Sequence, residues 1–562
     1  YIHNIFSIAT EQQKLKFIKS IVYSYDGGLS LIRQHFIDDQ DSVRYALDLV
    51  LSRKGIVYDA VSHNRKNLKN KLSGNARKDF ELMSNSQGKL SQLLLNKPEK
   101  MLPDAYQKIL NILHTQIEVI EKRLLKESRL AAKELKQRRV TSSELAERLP
   151  ANTALVEFIK IPSLGSEKNK LVFRYLVFVL LNEEKVHLVD LGEVDVLEEH
   201  IRKGLSGIKS GLGNKEINAK NNQIFKELYD KLWKPIKSEL KSADKVFISP
   251  DGILNLLPFG ALIDNEEKFL LENMEIAYLT NGRELIGIEG EEFKPKGEML
   301  LVANPAYDLK FASTSTTETS LRSLDFTGNF SPLPGTQKEA NEIPALLMSE
   351  DKDITVLTGK EATEEKVKKT KSPRILHLAT HGFFYKDEEI APSNNTRGLS
   401  VVNLLPDKGI KKFPKRYENP LVRSGLALAG ANHASEATKG EDGILTALEV
   451  SGLDLYGTDL VVLSACETGV GEIKNGEGVF GLRRAFALAG AKNLMMSLWP
   501  VSDEVTARQM IAFYKNLQKL PPGKALRQAQ LQTIKELKVK YGFAPIALWA
   551  PFILQGSKAF NN

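Results

Sequence analysis

A single thiol, Cys466, closes the apolar run "DLVVLSAC" and is followed by the glycine-rich "ETGVGE". A free thiol has a pKa of about 8.5, so at neutral pH it needs a base to become a nucleophile. Histidine is the usual base. Of the nine histidines, His3, His35, His63 and His114 lie in the first 150 residues, and His187 and His200 follow. His377, His381 and His433 share the C-terminal part with Cys466. Among them His381 matches Cys466 in placement: it closes the run "RILHLAT" and precedes Gly382. A parallel sheet gathers the carboxyl ends of its strands along one edge, where ligands bind. Two such strands would set an imidazole beside a thiol, the pair needed for nucleophilic attack and proton transfer. Gly382 lets the backbone come close to a substrate, and its N–H can point at a carbonyl oxygen.

The residues alone leave a plainer alternative open. A lone cysteine at a strand end is often a small buried hydrophobe. His377, four residues before His381 on the same strand face, reads as a packed strand histidine. A His-x-x-x-His zinc pair needs a helix and a third ligand, and none can be named, so no metal is predicted. His433 lies in the loop "GANHASEATKG", where nothing marks it as the base.

The elements that must carry this pair are legible in outline. Residues 1–148 read as helices: "EQQKLKFIKSIVYSY" is amphipathic, "DSVRYALDLVLSRKGIVYDAV" continues at three- and four-residue steps, and the longest runs from Pro103 to Arg139. From residue 149 to 296, β-rich runs ("TALVEFIKI", "FRYLVFVLL", "EKVHLVDLG", "KVFISPDGILNLLPFGALI") alternate with helices. From 297 to 562 a second α/β unit holds the strands "EMLLVANP", "DITVLTG", "RILHLATHG", "RSGLALAG", "DLVVLSACE" and "KNLMMSLW". The run "GVFGLRRAFALAG" reads as a helix, and "STSTTETS" as a surface loop. The alternation predicts a mostly parallel α/β sheet flanked by helices, in two units behind an all-α segment.

Composition narrows the class. The chain has 562 residues, 42% hydrophobic and 26% charged, ordinary for a globular protein. No apolar run approaches the roughly eighteen residues of a membrane span; "YLVFVLL" fits a buried strand. One cysteine excludes internal disulfides and points to a reducing cytoplasm. The first residue is Tyr1 and not methionine, so the chain is expected to be a fragment. Residues 1–150 carry 26 Lys+Arg against 17 Asp+Glu, whereas the remainder carries 52 against 53. The basic excess alternates with apolar residues at helical spacing, so it reads as solvated helix faces, with nucleic acid involved only indirectly if at all. "GEGVFG" (476–481) satisfies Gly-x-Gly-x-x-Gly, but ten residues separate it from the preceding strand. A dinucleotide site needs the glycines at the strand end, so no cofactor is predicted.

Several of these runs together resemble a known family. "HLATHGFF", "LSACETGVGE", "DGILTALEV" and "SLWPVSDEVTA" occur in the order seen in the CHAT family of caspase-like cysteine peptidases. The resemblance covers about 150–562. The helical segment "DDQDSVRYALDLVLSRKGIVYDAV" (38–61) resembles the linker that follows tetratricopeptide repeats in such proteins. By this resemblance His381 is the catalytic histidine and Cys466 the nucleophile, with the N–H groups of Gly382 and Cys466 as the oxyanion hole. Residues 149–296 become a pseudo-protease half and 297–562 the active half. The implied activity is a cysteine endopeptidase of the bacterial cytoplasm, in defence or signalling. It would cleave a protein substrate and be activated by a protein partner on the helical region. The rival is a catalytically silent scaffold that binds a partner.

Two residues bear on specificity. Glu467 follows the nucleophile where caspases carry other residues. "SLWPVSDEV" is similar to a separase segment whose aspartate holds a basic P1 side chain (the substrate residue before the cleaved bond), and this maps to Asp503. A carboxylate there can pair bidentately with a guanidinium. It can equally cap the helix "EVTARQM", since aspartate is a favoured cap. The stretch 385–420, long and polar, begins four residues after His381. It is expected to be a mobile gate that orders when a partner binds. No obligatory processing site is evident, although Arg397 or Lys415 would suit an enzyme preferring basic residues.

Overall fold

The computed structural model describes residues 10–561, apart from 72–73, 96–100, 132–139, 165–170, 183–184, 211–213, 288–293, 311–329, 348–352, 386–419, 438–440 and 467. The expected surface loop at 313–320, most of the expected gate at 385–420, and Glu467 lie outside the described residues.

The N-terminal segment is helical: α1 (Glu11–His35), α2 (Gln40–Arg53), α3 (Ile56–Lys71), α4 (Gly74–Leu95), α5 (Pro103–Ala131) and α6 (Ser142–Arg148). Thr10 starts α1 through a reciprocal capping box with Gln13, and the Asp39 carboxylate accepts the Ser42 N–H at the start of α2. The apolar spacing of "DSVRYALDLVLSRKGIVYDAV" runs on without a break, yet two helices form. Gly55 takes a left-handed φ of +66°, and a Cβ there would meet Asn281 Nδ2 at 2.8 Å. The bend drives Lys54 into the sheet. Its Nζ shares three N–H groups among four acceptors: Glu157 Oε1 (2.6 Å), Ser249 Oγ (2.7 Å), and the carbonyls of Phe158 (2.8 Å) and Ser249 (2.9 Å). Lys54 and Glu157 are both buried, so the pair stands only because every donor and acceptor is met.

One eleven-stranded sheet crosses both α/β units. Its strands are β1 (Thr153–Leu164), β2 (Leu171–Leu180), β3 (Val186–Glu193), β4 (Lys245–Ser249), β5 (Glu275–Tyr278), β6 (Gly297–Pro305), β7 (Ile354–Gly359), β8 (Pro373–Ala379), β12 (Leu460–Ser464), β15 (Asn493–Ser497) and β16 (Phe552–Gln555). The order is β3-β2-β1-β4-β5-β16-β15-β12-β8-β6-β7. Neighbours are parallel except at β3/β2, β2/β1 and β16/β15. The helices α7 (Val194–Ser210), α8 (Lys215–Leu232), α9 (Pro334–Leu347), α10 (Asp503–Leu517) and α11 (Pro522–Tyr541) flank it. Successive strand residues alternate between two cores. Val461 and Leu463 join Phe225 of α8 on one face; Leu460 and Val462 join Ile343 of α9 and Phe513 of α10 on the other. Such a fully buried side chain contributes about 1.5–3 kcal/mol, and burial on both faces is why these strands read as unbroken apolar runs.

Three smaller elements differ from the sequence reading. "RSGLALAG" contributes β10 (Ser424–Ala427) to a separate sheet, between β9 (Gly382–Phe384) and β11 (Ile444–Thr446). "GVFGLRRAFALAG" is not one helix: β14 (Gly478–Phe480) pairs with β13 (Glu472–Lys474), and the helix starts at Leu482. Gly476 and Gly478 both take positive φ, 73° and 80°, so the glycines of "GEGVFG" serve a hairpin turn. β16, from "FILQ", joins the two halves of the sheet. Among the described residues no helix is long and apolar enough to cross a membrane.

Candidate active site

β8 and β12 lie side by side and parallel, with Ala379 opposite Ser464. His381 and Cys466 each follow two residues later, at the carboxyl edge of the sheet. Past Ala379 the chain turns. Thr380 Oγ1 donates to the Ala427 carbonyl, and the Ala427 N–H donates to the His381 carbonyl at 2.9 Å. Gly382 then opens β9 against β10. Tyr385 N–H donates to Arg423 O, so the hydrogen-bonded positions of this ladder are the odd-numbered residues 381–385. Gly382 falls between them, and β10 does not take its N–H.

The His381 ring is held from three sides. Nε2 donates to the Ser331 carbonyl at 2.8 Å. A carbonyl only accepts, so the neutral ring carries its proton on Nε2 and leaves Nδ1 bare. Tyr307 and Phe330 pack on the ring, with centroids 5.3 and 5.4 Å away. Tyr307 is 2% exposed and its hydroxyl shares a 2.9 Å hydrogen bond with Thr380 Oγ1. Burial pushes this phenol up to about 12, and the charges of Asp503 and Cys466 push in the same direction.

Cys466 sits half-buried in a tight turn. The turn is fastened to the end of β15: Gly469 N–H donates to Ser497 O (2.7 Å), Ser497 N–H donates to Thr468 Oγ1 (3.1 Å), and Ser497 Oγ donates to the Ala465 carbonyl. Gly382 lies against the same turn. A Cβ on it would be 2.4 Å from the Cys466 carbonyl oxygen and 3.0 Å from Thr468 Cγ2. The glycine is therefore required by the approach of the two strand-end loops, a closer constraint than access for a substrate.

Asp503 begins α10, and its carboxylate accepts the Gly335 N–H at 2.6 Å. It caps a helix, but the neighbouring one, α9. A Cβ on Gly335 would lie 2.5 Å from Asp503 Oδ1, so this contact too needs glycine. His377 is fully buried, with Nε2 2.9 Å from Glu339 Oε2 and Nδ1 3.0 Å from Tyr514 Oη. His433 pairs with Glu436, and His187 with Glu239. Sequence reasoning missed Tyr307, Phe330, Ser331, Gly335 and Glu339, which lie on segments far from either motif. The one available signal was the dipeptide Pro334-Gly335 that opens a helix. Among the described residues no group of three or more His, Cys, Asp or Glu could hold a metal.

The chain is similar to several known proteins. Tetratricopeptide repeat protein 28 of Mus musculus and of Homo sapiens are each 28% identical over 234 residues, 41% of this chain. The chain spans 9% of the length of these relatives. Among solved structures, the Arg-specific cysteine proteinase gingipain R matches 62% of this chain and 69% of its own at 11% identity and TM-score 0.34. The Saccharomyces cerevisiae separase–securin complex matches 92% of this chain and 37% of its own at 10% identity and TM-score 0.40. Both scores fall below 0.5, and the site is read from the chain's own geometry. The CHAT domain model matches residues 222–557, more than half of the sequence, and the chain belongs to the CHAT domain family.

Proposed function

We propose that this chain is a cysteine endopeptidase in which Cys466 is the nucleophile and His381 the acid–base. The observation that carries it is the matched offset of the two residues past paired Ala379 and Ser464, with His381 Nε2 committed to Ser331 and Nδ1 left bare. The Cys466 thiol yields its proton to His381, and the sulfur attacks the scissile carbonyl carbon. The carbonyl electrons move onto oxygen, which accepts N–H groups from Gly382 and Cys466; one such donor is worth about 3 kcal/mol. Collapse expels the amine, protonated by His381, and leaves a thioester on Cys466. Water, with His381 as base, hydrolyses it.

Asp503 is proposed to select Arg or Lys at P1, aided by Glu467. In support, the Gly335 amide fixes one carboxylate oxygen, and Asp503 and Cys466 both bear on the Tyr307 hydroxyl. In this proposal residues 149–296 are the non-catalytic half and 297–562 the catalytic half. Activation by a partner on the helical segment has support in contacts beyond Cys466. Gly55 N–H donates to Gly476 O (2.6 Å), Val57 N–H to Glu477 Oε1 (3.3 Å), and Arg484 Nη2 pairs with Glu11 (2.8 Å). Gating by 385–420, most of which lies outside the described residues, and a bacterial cytoplasmic setting, of which only the cytoplasmic part is in keeping with a sequence holding one cysteine, belong to the same proposal.

The test is labelling with a peptidyl acyloxymethyl ketone ending in arginine. Modification at Cys466 that His381→Ala suppresses is expected. A thiol that stays inert, with and without candidate partners, would leave the scaffold as the better account.

A further inference from the structure

Beneath the proposed pair, one carboxylate bridges both strands. Glu339 of α9 is 1% exposed. Its Oε1 accepts the Ser464 hydroxyl at 2.9 Å, and its Oε2 accepts His377 Nε2–H at 2.9 Å. Tyr514 of α10 meets the other imidazole nitrogen at 3.0 Å. Burial and the Glu339 charge hold the Tyr514 hydroxyl in its protonated form, so it donates to His377 Nδ1. Arg374 is the other charge that bears on Tyr514, and it is paired with Glu298 at 2.7 Å. The surroundings on this face, Ile375, Ala379 and Val462, are apolar and buried. Packing alone would be met by apolar side chains there, often at no loss of stability.

The placement is specific. His377 lies on β8 four residues before His381, and Ser464 lies on β12 two residues before Cys466. At about 3.3 Å per residue, these anchors stand roughly 13 and 7 Å of chain behind the two groups. The Gly335 amide, one helical turn before Glu339, is the group that Asp503 holds. One helix thus fastens β8, β12 and the start of α10.

We propose that Glu339 is a positioning residue: by holding Ser464 and His377 at once, it fixes the side-chain layer under the carboxyl ends of the paired strands β8 and β12, and so how His381 faces Cys466. Hydrogen bonds hold their partners to within a few tenths of an ångström and a preferred direction, which non-directional apolar contacts do not. A misplacement of about 1 Å at reacting groups costs about 10²-fold in rate. The inference rests on the Cys466–His381 pair proposed above.

Cys466 is the only cysteine, so the pH dependence of its alkylation by iodoacetamide reads the thiolate without any substrate. In the wild-type chain, alkylation should persist below the range of a free thiol and His381→Ala should abolish that advantage. Glu339→Gln and Ser464→Ala should move the profile to higher pH, with the rate at pH 6.5 lowered by about threefold or more. On an arginyl peptide, kcat should fall by about tenfold with KM little changed. His377→Gln, which retains an N–H toward Glu339, should retain most of the wild-type behaviour. Ser464→Ala removes a single hydrogen bond and serves if Glu339→Gln does not fold. Profiles of both variants that superpose on wild type, while His381→Ala shifts, would overturn the positioning role. A wild-type thiol that titrates like a free cysteine and ignores His381→Ala would remove the pair itself, a distinct result that takes this inference with it.

Discussion

A methyl group on Gly382 has nowhere to go, since the Cys466 carbonyl oxygen already stands 2.4 Å from where it would be. Gly382→Ala must push the two strand-end loops apart. Overpacking of this kind costs about 1–3 kcal/mol, and displacing an oxyanion donor lowers kcat by about 10²–10³. Calorimetry and peptide turnover measure the two; an alanine variant with wild-type kcat would remove Gly382 from the oxyanion hole. Cys466→Ala and His381→Ala should also lose turnover, but with melting temperatures close to wild type, because neither side chain fills the core. His381 and Cys466 were legible because their residue types are uncommon and each closes an apolar run. Ser331 was not. It acts through a backbone carbonyl, which every residue has, and so no side chain marks it. Tyr307 and Glu339 are ordinary types on other elements, and only the packing of the sheet brings them to the motifs.

The joint between α2 and α3 shows why helix boundaries were harder to read. Helical periodicity continues through "SRKGIV", and the break lies at the left-handed Gly55, beside which Lys54 is anchored in the sheet. Lys54→Ala strands the buried Glu157 carboxylate, and breaking such a pair from one side costs about 3–5 kcal/mol. Pairing it with Glu157→Gln should recover part of that loss, as read by urea denaturation; a double variant no better than the single one would deny the charge argument. The same joint should respond to pH. Glu477, on the hairpin that touches Val57, is 5% exposed, and burial pushes its carboxyl up to about 7 against the nearby Arg484. A carboxyl raised in the folded chain binds its proton more tightly there than in the unfolded chain. Its contribution is therefore complete below about pH 4 and is lost as pH rises through about 7. Relative to the intrinsic base-catalysed rise, protection of the α3 amides should fall between about pH 5 and 7 and level off above it, and Glu477→Gln should flatten that fall. The hairpin itself was hidden because its strands are three residues long, too short for a period-two pattern.

At the scale of the whole molecule, the two α/β units were legible from alternating strand and helix texture, but their union in one sheet was not. The union rests on β16, four residues long, which pairs antiparallel with β15 and meets β5 at the single pair Gln555–Tyr278. Gln555 also ties the halves through its side chain. It accepts from the buried Arg483 and donates to Thr280 Oγ1 at 3.0 Å. Gln555→Leu leaves Arg483 without that acceptor, and an unmet buried donor costs about 1–3 kcal/mol. Thermal unfolding should then lose cooperativity between the halves, measured as a calorimetric enthalpy larger than the van't Hoff value; a single unchanged transition would count against the bridge.

The strand at the middle of the sheet is also the last of its eleven in chain order. From the time Tyr278 emerges until Phe552–Gln555 follow, β5 presents a bare edge, the kind of edge that recruits other chains. Every residue of the proposed site is synthesised before that edge closes. A nascent chain can thus hold a complete set of site residues while the sheet that aligns them is still open, and alignment waits on the synthesis of four residues, Phe552–Gln555.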